Sequence, residues 1–375
     1  MVCDRDGCPI PCCGGDLNMD YLLEISKTAI TVIIGTIGLA FFGIVFGLFY
    51  KGVDRKLSAH MQGRIGPPIR QPFRDLVKLF TKENIVPENA IPWIFNLAPL
   101  VGLVATISIL LYLPIIPNDT GGLVPLLPVS GDLILILYLL IIPSLALVIG
   151  GFASGSPYAT VGAQREMATM IAYEFPLAII IISIAWKLQV HGGSNVFSLS
   201  SIATTPVWNV AGPLGFIGFL ILLLVLVIVT PAELSKIPFD APEAETEIGG
   251  GLLVEYSGRN LGMFYLTDCV KILVMASLIV ALFFPYNLAH LFGLEGYPAF
   301  AVDIVFYLVK VFLVVLFSVT LIRVAVARLK IDQIVYTYWV PLTLLGLVGL
   351  ICVMWDVWTM NQFGIQPVFE ILGLI

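Results

Sequence analysis

Charged residues are scarce in this sequence. Asp, Glu, Lys and Arg make up 12% of its 375 residues, whereas an ordinary soluble domain carries roughly a quarter, so a soluble globular protein is excluded. Basic residues are too few for nucleic-acid binding, because 19 Lys and Arg against 25 Asp and Glu leave a net charge of -6 and no basic tract dense enough to hold phosphates. The sequence also lacks a Walker loop, a dinucleotide fingerprint, a catalytic triad and a haem ligand pair. We therefore expect no catalytic residue, no metal site and no cofactor bound by this chain.

Apolar residues, by contrast, make up 59% of the chain and gather in long runs. A helix needs about 20 apolar residues to cross about 30 Å of hydrocarbon, and eight runs qualify. They lie near Ala29–Tyr50, Ile91–Ile115, Leu133–Ala153, Met167–Leu188, Pro213–Glu233, Met263–Pro285, Val302–Arg323 and Val340–Trp358. The sequence therefore predicts an all-α integral membrane protein with about eight transmembrane helices.

Most of the 19 Lys and Arg residues fall in the loops that follow the odd-numbered spans. Because basic loops stay on the cytoplasmic side of a membrane, these loops are predicted to be cytoplasmic and both termini to lie outside. The predicted cytoplasmic loops are 51–90, 154–166, 234–262 and 324–339. The chain is thus divided into a Cys-rich N-terminal tail (1–24), a membrane domain (25–358) and a C-terminal tail (359–375).

The fifth loop is dense in carboxylates. Six of them occur within 23 residues, counting the end of the preceding span: Glu233, Asp240, Glu243, Glu245, Glu247 and Glu255. Crowded carboxylates at a membrane border raise one another's pKa towards neutral pH, which predicts a proton path. Pro242 predicts a short helix with Asp240 at its N-cap and with Glu243 and Glu247 on one face. The predicted hinge of this loop consists of three consecutive glycines, Gly249, Gly250 and Gly251. The alternative is a solvated acidic loop that only caps a helix.

Glu174, Asp268 and Lys271 are ionisable residues inside predicted spans. Glu174 lies in the fourth span, where an ionisable side chain is costly unless it faces protein or water, so it is predicted to be functional. The alternative for Glu174 is a buried side chain paired for helix packing. Asp268 and Lys271, one helical turn apart in the sixth span, are predicted to pair with each other.

The first loop combines basic residues with an amphipathic segment. Its predicted docking residues for a cytoplasmic partner are Asp54, Arg55, Lys56, Gln62, Arg64, Gly66 and Pro67. The Gly-Pro-Pro turn favours docking, because simple anchoring to lipid headgroups, the alternative, requires no rigid turn. From Pro72 to Lys82 apolar and charged residues alternate at helical spacing, which predicts an amphipathic helix on the cytoplasmic membrane surface.

Four cysteines crowd the N-terminus: Cys3, Cys8, Cys12 and Cys13. Their spacing fits neither a zinc site nor a common iron–sulfur run. The predicted outside location favours disulfides over a metal. The other interpretation is a disordered tail, or residues upstream of a true start at Met19.

Several strings of the chain match one family in order. They are Asp54-Arg-Lys, Gln62-x-Arg64-x-Gly-Pro, Lys82-Glu-Asn-Ile-Val-Pro, Asn96-Leu-Ala-Pro, Tyr158-Ala-x-x-Gly-Ala-x-Arg165, Ala172-Tyr-Glu174, Ile237-Pro-Phe-Asp-x-Pro-Glu-Ala-Glu-x-Glu, Glu255-Tyr-Ser-Gly and Arg328-Leu-Lys-Ile-Asp-Gln333. With these strings, residues 25–358 resemble the membrane subunit called H in bacterial respiratory complex I and subunit 1 in mitochondria.

The resemblance implies a fold of eight core helices that contacts a peripheral redox arm, helps form a quinone chamber and opens a hydrophilic axis towards ion pumps. It implies that the acidic funnel on this axis comprises Glu174, Glu233, Asp240, Glu243, Glu245, Glu247 and Glu255. We add Arg165, Glu166, Asp268 and Lys271 to this predicted proton path. Arg55, Lys56 and Arg64 would line the contact with the peripheral arm.

Three positions depart from the quinone-reducing members of that family. Asp54 replaces the usual Glu, Pro68 stands where Asn is usual, and Glu166 replaces a small residue. These residues resemble the branch found in energy-converting membrane-bound NiFe hydrogenases and their relatives, which pass electrons from ferredoxin to protons and need no quinone. This branch implies partner subunits that carry iron–sulfur clusters and a NiFe centre, in a prokaryotic cytoplasmic membrane.

Other functions stay open at this point. The same fold would serve in a quinone- or methanophenazine-reducing dehydrogenase. A free-standing transporter is disfavoured, because the sequence has no inverted repeat and its outer loops are nearly uncharged. A passive anchor is the remaining alternative.

Overall fold

The computed structural model describes residues 19–117, 123–129, 131–190, 195–292, 296–363 and 368. This part of the chain forms the α-helices α1 (Met19–Met61), α2 (Gln71–Thr81), α3 (Pro92–Tyr112), α4 (Asp132–Ala153), α5 (Pro157–Val190), α6 (Leu199–Thr204), α7 (Val207–Val210), α8 (Pro213–Glu233), α9 (Glu245–Ile248), α10 (Gly258–Phe283), α11 (Tyr297–Val315), α12 (Leu321–Ala325), α13 (Ile331–Thr337) and α14 (Thr343–Phe363). The predicted roles of Cys3, Cys8, Cys12 and Cys13 concern residues outside the described ranges.

Shorter elements join these helices. Two two-residue strands, β1 (Ile116–Pro117) and β2 (Leu123–Val124), pair antiparallel between α3 and α4. π-helical turns occupy Leu316–Thr320, between α11 and α12, and Tyr338–Leu342, between α13 and α14. The 3₁₀ turns are Ala241–Glu243, Gly251–Leu253 and Ala289–Phe292.

Eight segments of the described chain are long and apolar enough to cross a membrane. They are Ile30–Met61, α3, α4, α5, α8, α10, Pro298–Ala325 and Ile331–Met360. The prediction of an all-α, multi-pass integral membrane protein is confirmed. We call the side that carries α2 and residues 234–257 the polar side, and the opposite side the far side.

The helices continue further than the sequence predicted on the polar side. α1 continues to Met61, α5 begins at Pro157 and α13 covers Ile331–Thr337, so residues 51–61, 157–166 and 331–337 are helical and not loop. Hydropathy falls in these segments because they carry charged side chains such as Lys51, Asp54 and Glu166. All three side chains are nevertheless buried in the bundle. A hydropathy criterion ends a span at such residues although the helix continues.

α10 is the central helix of the bundle. Nearly all of its apolar stretch is buried, including every residue from Cys269 to Phe283. A helix that is apolar on all sides is stable at such a position, because each of its faces packs against protein. Two of its three charged residues, Asp268 and Lys271, are thereby held inside the bundle, whereas Arg259 in its first turn is exposed.

The amphipathic helix predicted after Pro72 is present as α2. Phe73 and Leu76 pack against a cluster of α1 and α10 formed by Leu48, Leu266 and Cys269. Its apolar face therefore covers the polar-side ends of two membrane helices.

Candidate functional site

A charged cavity of about 270 Å³ opens on the polar side, among α1, α4, α8, α10 and the segment after α8. Nine of its nineteen lining residues are charged: Lys51, Asp54, Arg55, Glu233, Lys236, Glu243, Asp268, Lys271 and Arg323. In a chain with 12% charged residues, this concentration identifies the cavity as the candidate site. We call it the charged chamber.

Asp268 holds two lysines on one wall of the chamber. Lys51 Nζ of α1 lies 2.6 Å from Asp268 Oδ2, and Lys236 Nζ lies 2.7 Å from Oδ1. The Lys51 ammonium also lies 3.5 Å from the centre of the Tyr265 ring, a favourable cation–π contact. The sequence treated Lys51 and Lys236 only as loop charges, so both were missed as site residues.

Lys271 faces the opposite wall and pairs with Glu233. Its Nζ lies 2.8 Å from Glu233 Oε1 and donates to Ser144 Oγ at 2.9 Å. Ser144 Oγ in turn lies 3.2 Å from the Tyr173 hydroxyl. The predicted pairing of Lys271 with Asp268 is wrong, because each has a closer partner on another helix. The result is a buried polar chain from α8 through α10 and α4 to α5.

α5 carries the two glutamates next to this chain. Glu166 is buried, and Ser235 Oγ donates to its Oε2 at 3.5 Å. Glu174 is half-buried. Oε1 of each is buried with no hydrogen-bond partner in the described part of the chain. Glu166 and Tyr173 are seven residues apart, so they lie on the same face of α5.

Asp54 is an interior residue. Thr320 Oγ1 donates to its Oδ1 at 2.7 Å, and Arg323 Nη1 lies 3.0 Å from its Oδ2. The π-helical turn that ends at Thr320 changes the helical register just before these contacts. Asp54 is only 4% exposed and lines the charged chamber, so its predicted contact with a peripheral arm stays a prediction.

The other predicted docking residues lie on or near the polar-side surface. Lys56, Gln62, Arg64 and Pro67 are exposed, while Arg55 and Gly66 are half-buried. Arg55 Nη1 lies 3.3 Å from Asp75 Oδ2 of α2. Ile65, for which no role was predicted, is fully exposed between Arg64 and Gly66. We call Lys56, Gln62, Arg64, Ile65 and Pro67 the loop-tip surface.

The acidic segment after α8 is not one cluster. Its predicted helix breaks at Ala244, so Glu243 lines the chamber while Glu247 is exposed and lies 2.6 Å from Arg165 Nη1. Asp240 makes no N-cap hydrogen bond and instead pairs with Arg328 in two places. The remaining predicted members are an exposed Glu245 and a half-buried Glu255, neither of which lines the chamber.

The burial of Glu243 changes its acidity. Desolvation raises its pKa, Asp268 and Asp240 add to the rise, and Lys236 and Lys51 oppose it. Glu243 therefore binds a proton at a higher pH than an exposed glutamate does.

The three predicted hinge glycines form a left-handed turn. Their φ angles are 62° for Gly249, 102° for Gly250 and 55° for Gly251, values that favour glycine. A Cβ on Gly251 would lie 1.9 Å from the carbonyl oxygen of Pro242. Alanine at Gly251 therefore requires Pro242 to move. Hinge motion stays a prediction.

Comparisons with known proteins agree with this architecture. The family described as NADH dehydrogenase matches residues 34–354. The H subunit of the F(420)H(2) dehydrogenase of Methanosarcina mazei is 32% identical over 331 residues, which cover 84% of this chain and 91% of that protein. The H subunit of the NADH-quinone oxidoreductase of Syntrophotalea carbinolica is 33% identical over 325 residues, covering 81% and 90%.

A solved structure has the same fold. It is a chain of the membrane-bound sulfane sulfur reductase (MBS), an archaeal respiratory membrane complex, with a TM-score of 0.73 and 28% identity over 86% of this chain and 99% of that one. The family match spans six of the eight membrane segments in full and most of the first and the last. The chain therefore belongs to the NADH dehydrogenase family, that of the H subunit of complex I, and is a multi-pass membrane subunit of an oxidoreductase complex.

Proposed function

We propose that this chain is the non-redox coupling subunit of a ferredoxin-driven complex of the hydrogenase type. In this role it docks the peripheral electron-transfer arm and passes the energy of the redox reaction to the translocation of H⁺ or Na⁺. It binds no redox cofactor itself. Iron–sulfur clusters and a NiFe centre belong to its partner subunits.

The observation that carries this proposal is the charged chamber with its buried polar chain. Glu233, Lys271, Ser144 and Tyr173 follow one another within 3.2 Å at each step. Ionisable residues inside a membrane bundle are costly, and proton relays are among the functions for which they are retained. Glu166 and Glu174 lie next to this row of polar side chains. Each has a buried oxygen that no described residue satisfies, so each can accept a proton or a hydrogen bond from water.

Asp268 and its two partners, Lys51 and Lys236, give the chamber a means of responding to the peripheral arm. Lys236 belongs to the segment after α8, whereas Lys51 belongs to α1 near the loop-tip surface. A displacement on either side changes the positive charge around Asp268 and Glu243, and hence their readiness to hold a proton. These three residues thereby couple the peripheral arm to the charged chamber. The coupling needs no electron carrier in this chain.

The proposal includes an orientation. The loop-tip surface and residues 234–257 face the cytoplasm of a prokaryotic cell, and both termini face outside, because Lys and Arg are concentrated on the polar side. A cytoplasmic arm then meets the loop-tip surface directly.

A second candidate is a subunit that forms the site of a quinone or methanophenazine. The relatives named F(420)H(2) dehydrogenase and NADH-quinone oxidoreductase favour it. The chamber also contains the apolar side chains of Phe264, Leu261 and Ile272. Its nine charged residues favour ionic and water-filled contents over an apolar ring, and we therefore rank this candidate second.

The test uses the purified complex in proteoliposomes with reduced ferredoxin as donor. Glu233→Gln is expected to retain electron transfer in detergent and to lose most ion translocation. Glu245→Gln, an exposed change on the same segment, is the matched control and should behave as the wild type. Quinone reduction by the wild-type complex, with no activity on protons, would support the second candidate. Normal translocation by Glu233→Gln would refute the coupling role of the polar chain.

A further inference from the structure

An apolar groove lies between α8 and α11, with α10 as its floor. Its volume is about 510 Å³, and of the ten described residues that line it only Lys310 and Tyr286 are polar. Phe317 is 57% exposed and Leu313 43% exposed at its rim, so the groove is open on the outer surface of the bundle. It is separate from the charged chamber, with which it shares no lining residue.

The groove lies at mid-membrane depth. α8 has 21 residues, which at 1.5 Å per residue extend about 31 Å and match a hydrocarbon core of about 30 Å. Leu223, where the α8 wall of the groove begins, is the central residue of that helix. Lys310 lies near the middle of the span Pro298–Ala325. The lipid headgroups are thus about 15 Å away, at the edges of the core.

Lys310 brings a positive charge to this depth. Its Nζ donates to Tyr286 O at 2.7 Å and to Phe284 O at 3.0 Å, and it lies 4.9 Å from the centre of the Phe306 ring. Two carbonyl oxygens and a ring face are neutral partners, so they stabilise the ammonium group without cancelling its charge. One of its three N–H donors stays available for a further acceptor.

Lys310 differs in this respect from the buried lysines of the spans. Each of those pairs with a carboxylate of this chain: Lys51, Lys187 and Lys271. Lys310 forms no ion pair within the described ranges. Asp303, two turns earlier on α11, instead accepts the backbone N–H groups of Leu288 and Ala289. Because an unpaired ionisable group inside a membrane is costly, the charge of Lys310 favours a carboxylate supplied by another chain.

The α11 wall of the groove is suited to packing against a second helix. Five of its residues recur at the spacing of one helix face: Phe306, Lys310, Leu313, Val314 and Phe317. From Phe306 to Phe317 this face extends about 16 Å, the length of three helical turns. A lipid carries its charge at headgroup level, and an apolar ring compound has no charge to offer. A helix of another membrane subunit can carry a carboxylate to this depth.

We propose that the groove binds a membrane-spanning helix of a neighbouring subunit, and that an Asp or Glu of that helix pairs with Lys310. The carboxylate accepts the available N–H of Lys310 in a charge-assisted hydrogen bond, so neither charge faces lipid. Leu313 and Phe317 pack against the same helix, one and two turns further along. The chain is a membrane subunit of an oxidoreductase complex, and this contact does not depend on its proposed coupling role.

The first test locates the partner. The intact purified complex carries the photo-cross-linking amino acid p-benzoylphenylalanine in place of Phe317, a residue of similar shape, and cross-linked peptides are identified by mass spectrometry. We expect a peptide from an apolar span of another subunit, with an Asp or Glu inside that span. A cross-link to lipid alone, or to a span without a carboxylate, would overturn the proposal. The measurement needs no change at Lys310, so it decides the question even if variants of Lys310 fail to assemble.

The second test concerns the ion pair. Lys310→Met should lower several-fold the amount of the cross-linked subunit that stays with the complex in mild detergent, and Lys310→Arg should retain it because arginine keeps the charge. Val309→Met is the matched control, since Val309 is 47% exposed on α11 but lies outside the groove. In Lys310→Glu, retention should return when the partner's carboxylate is replaced by lysine. Equal retention in Lys310→Met and Val309→Met would refute the ion pair.

Discussion

Lys187 and Asp356 form an ion pair in which neither side chain is exposed: the two atoms, Nζ and Oδ2, are 2.5 Å apart at 0% exposure of both residues. Asp356 Oδ2 also accepts the backbone N–H of Gly212 at 3.0 Å. The pair therefore ties the far-side ends of α5 and α14 to the first turn of α8. A Cβ on Gly212 or Gly215 would lie 2.4 Å from a carboxylate oxygen of Asp356, so glycine is required for this close approach.

Removal of Lys187 should be costly. Lys187→Met leaves the Asp356 charge buried without its cation, which we expect to lower stability by about 3–5 kcal/mol. The double variant Lys187→Met/Asp356→Leu removes both charges and should recover a large part of this loss. Both effects are measured by heating the purified complex and monitoring the release of this subunit. A single variant as stable as the wild type would show that the pair contributes nothing.

The membrane fold was predictable from the sequence because it depends on local composition. Runs such as Pro213–Glu233 meet the length requirement of a span by themselves, and α8 has the same bounds. The amphipathic spacing after Pro72 likewise predicts α2. These features need no knowledge of partners.

The pairing of charges was not predictable, because it depends on which helices become neighbours. Asp268 and Lys271 have the spacing of a helical ion pair, yet Asp268 binds Lys51 and Lys236 from distant positions. Lys187, at the end of the predicted fourth span, was given no role and is buried in α5 as the partner of Asp356. A lone lysine in one apolar run and a lone aspartate in another are the sequence signal that could have predicted this ion pair.

Glu174 tests whether the proton path extends along α5. Glu174→Gln keeps the size and hydrogen-bonding ability of the side chain and removes its proton exchange, so we expect normal assembly with severely reduced translocation. Glu174→Asp should be partly active. Translocation is measured in proteoliposomes together with ferredoxin oxidation. Native rates in Glu174→Gln would exclude this residue from the path.

Glu243 should make stability depend on pH. Because burial raises its pKa in the folded chain above the ordinary value of 4.5, the folded state holds the proton more tightly than the unfolded state. This stabilisation is complete below the ordinary value and is lost as pH rises through the raised pKa. Glu243→Gln should therefore flatten the fall in melting temperature of the complex over that window. Glu245→Gln is the control, and an identical slope for the wild type and Glu243→Gln would contradict the assignment.

The loop-tip surface should dock the peripheral arm through charge. Lys56→Ala combined with Arg64→Ala removes two exposed cations, so attachment of the arm should weaken most at low salt, where screening is least. Ile65→Ser removes an exposed apolar side chain and should weaken attachment about equally at all salt concentrations. Co-purification of the arm over a salt series distinguishes the two effects. No change in either variant would indicate that this surface contacts only lipid.

The glycine turn after α9 offers a matched pair of substitutions. Gly249 and Gly251 both have left-handed backbones, with φ of 62° and 55°, so alanine costs roughly 1–2 kcal/mol at each. They differ in surroundings: a Cβ on Gly249 meets nothing within 4 Å, whereas one on Gly251 would lie 1.9 Å from Pro242 O.

Gly251→Ala must therefore move Pro242 and its neighbour Glu243, which lines the charged chamber. We expect Gly249→Ala to assemble and to translocate ions at a rate near that of the wild type. Gly251→Ala should lose translocation, and the pH dependence attributed to Glu243 should shift in whatever complex assembles. Equal behaviour of the two variants would mean that the turn does not set the position of Glu243, because backbone strain alone affects both residues alike.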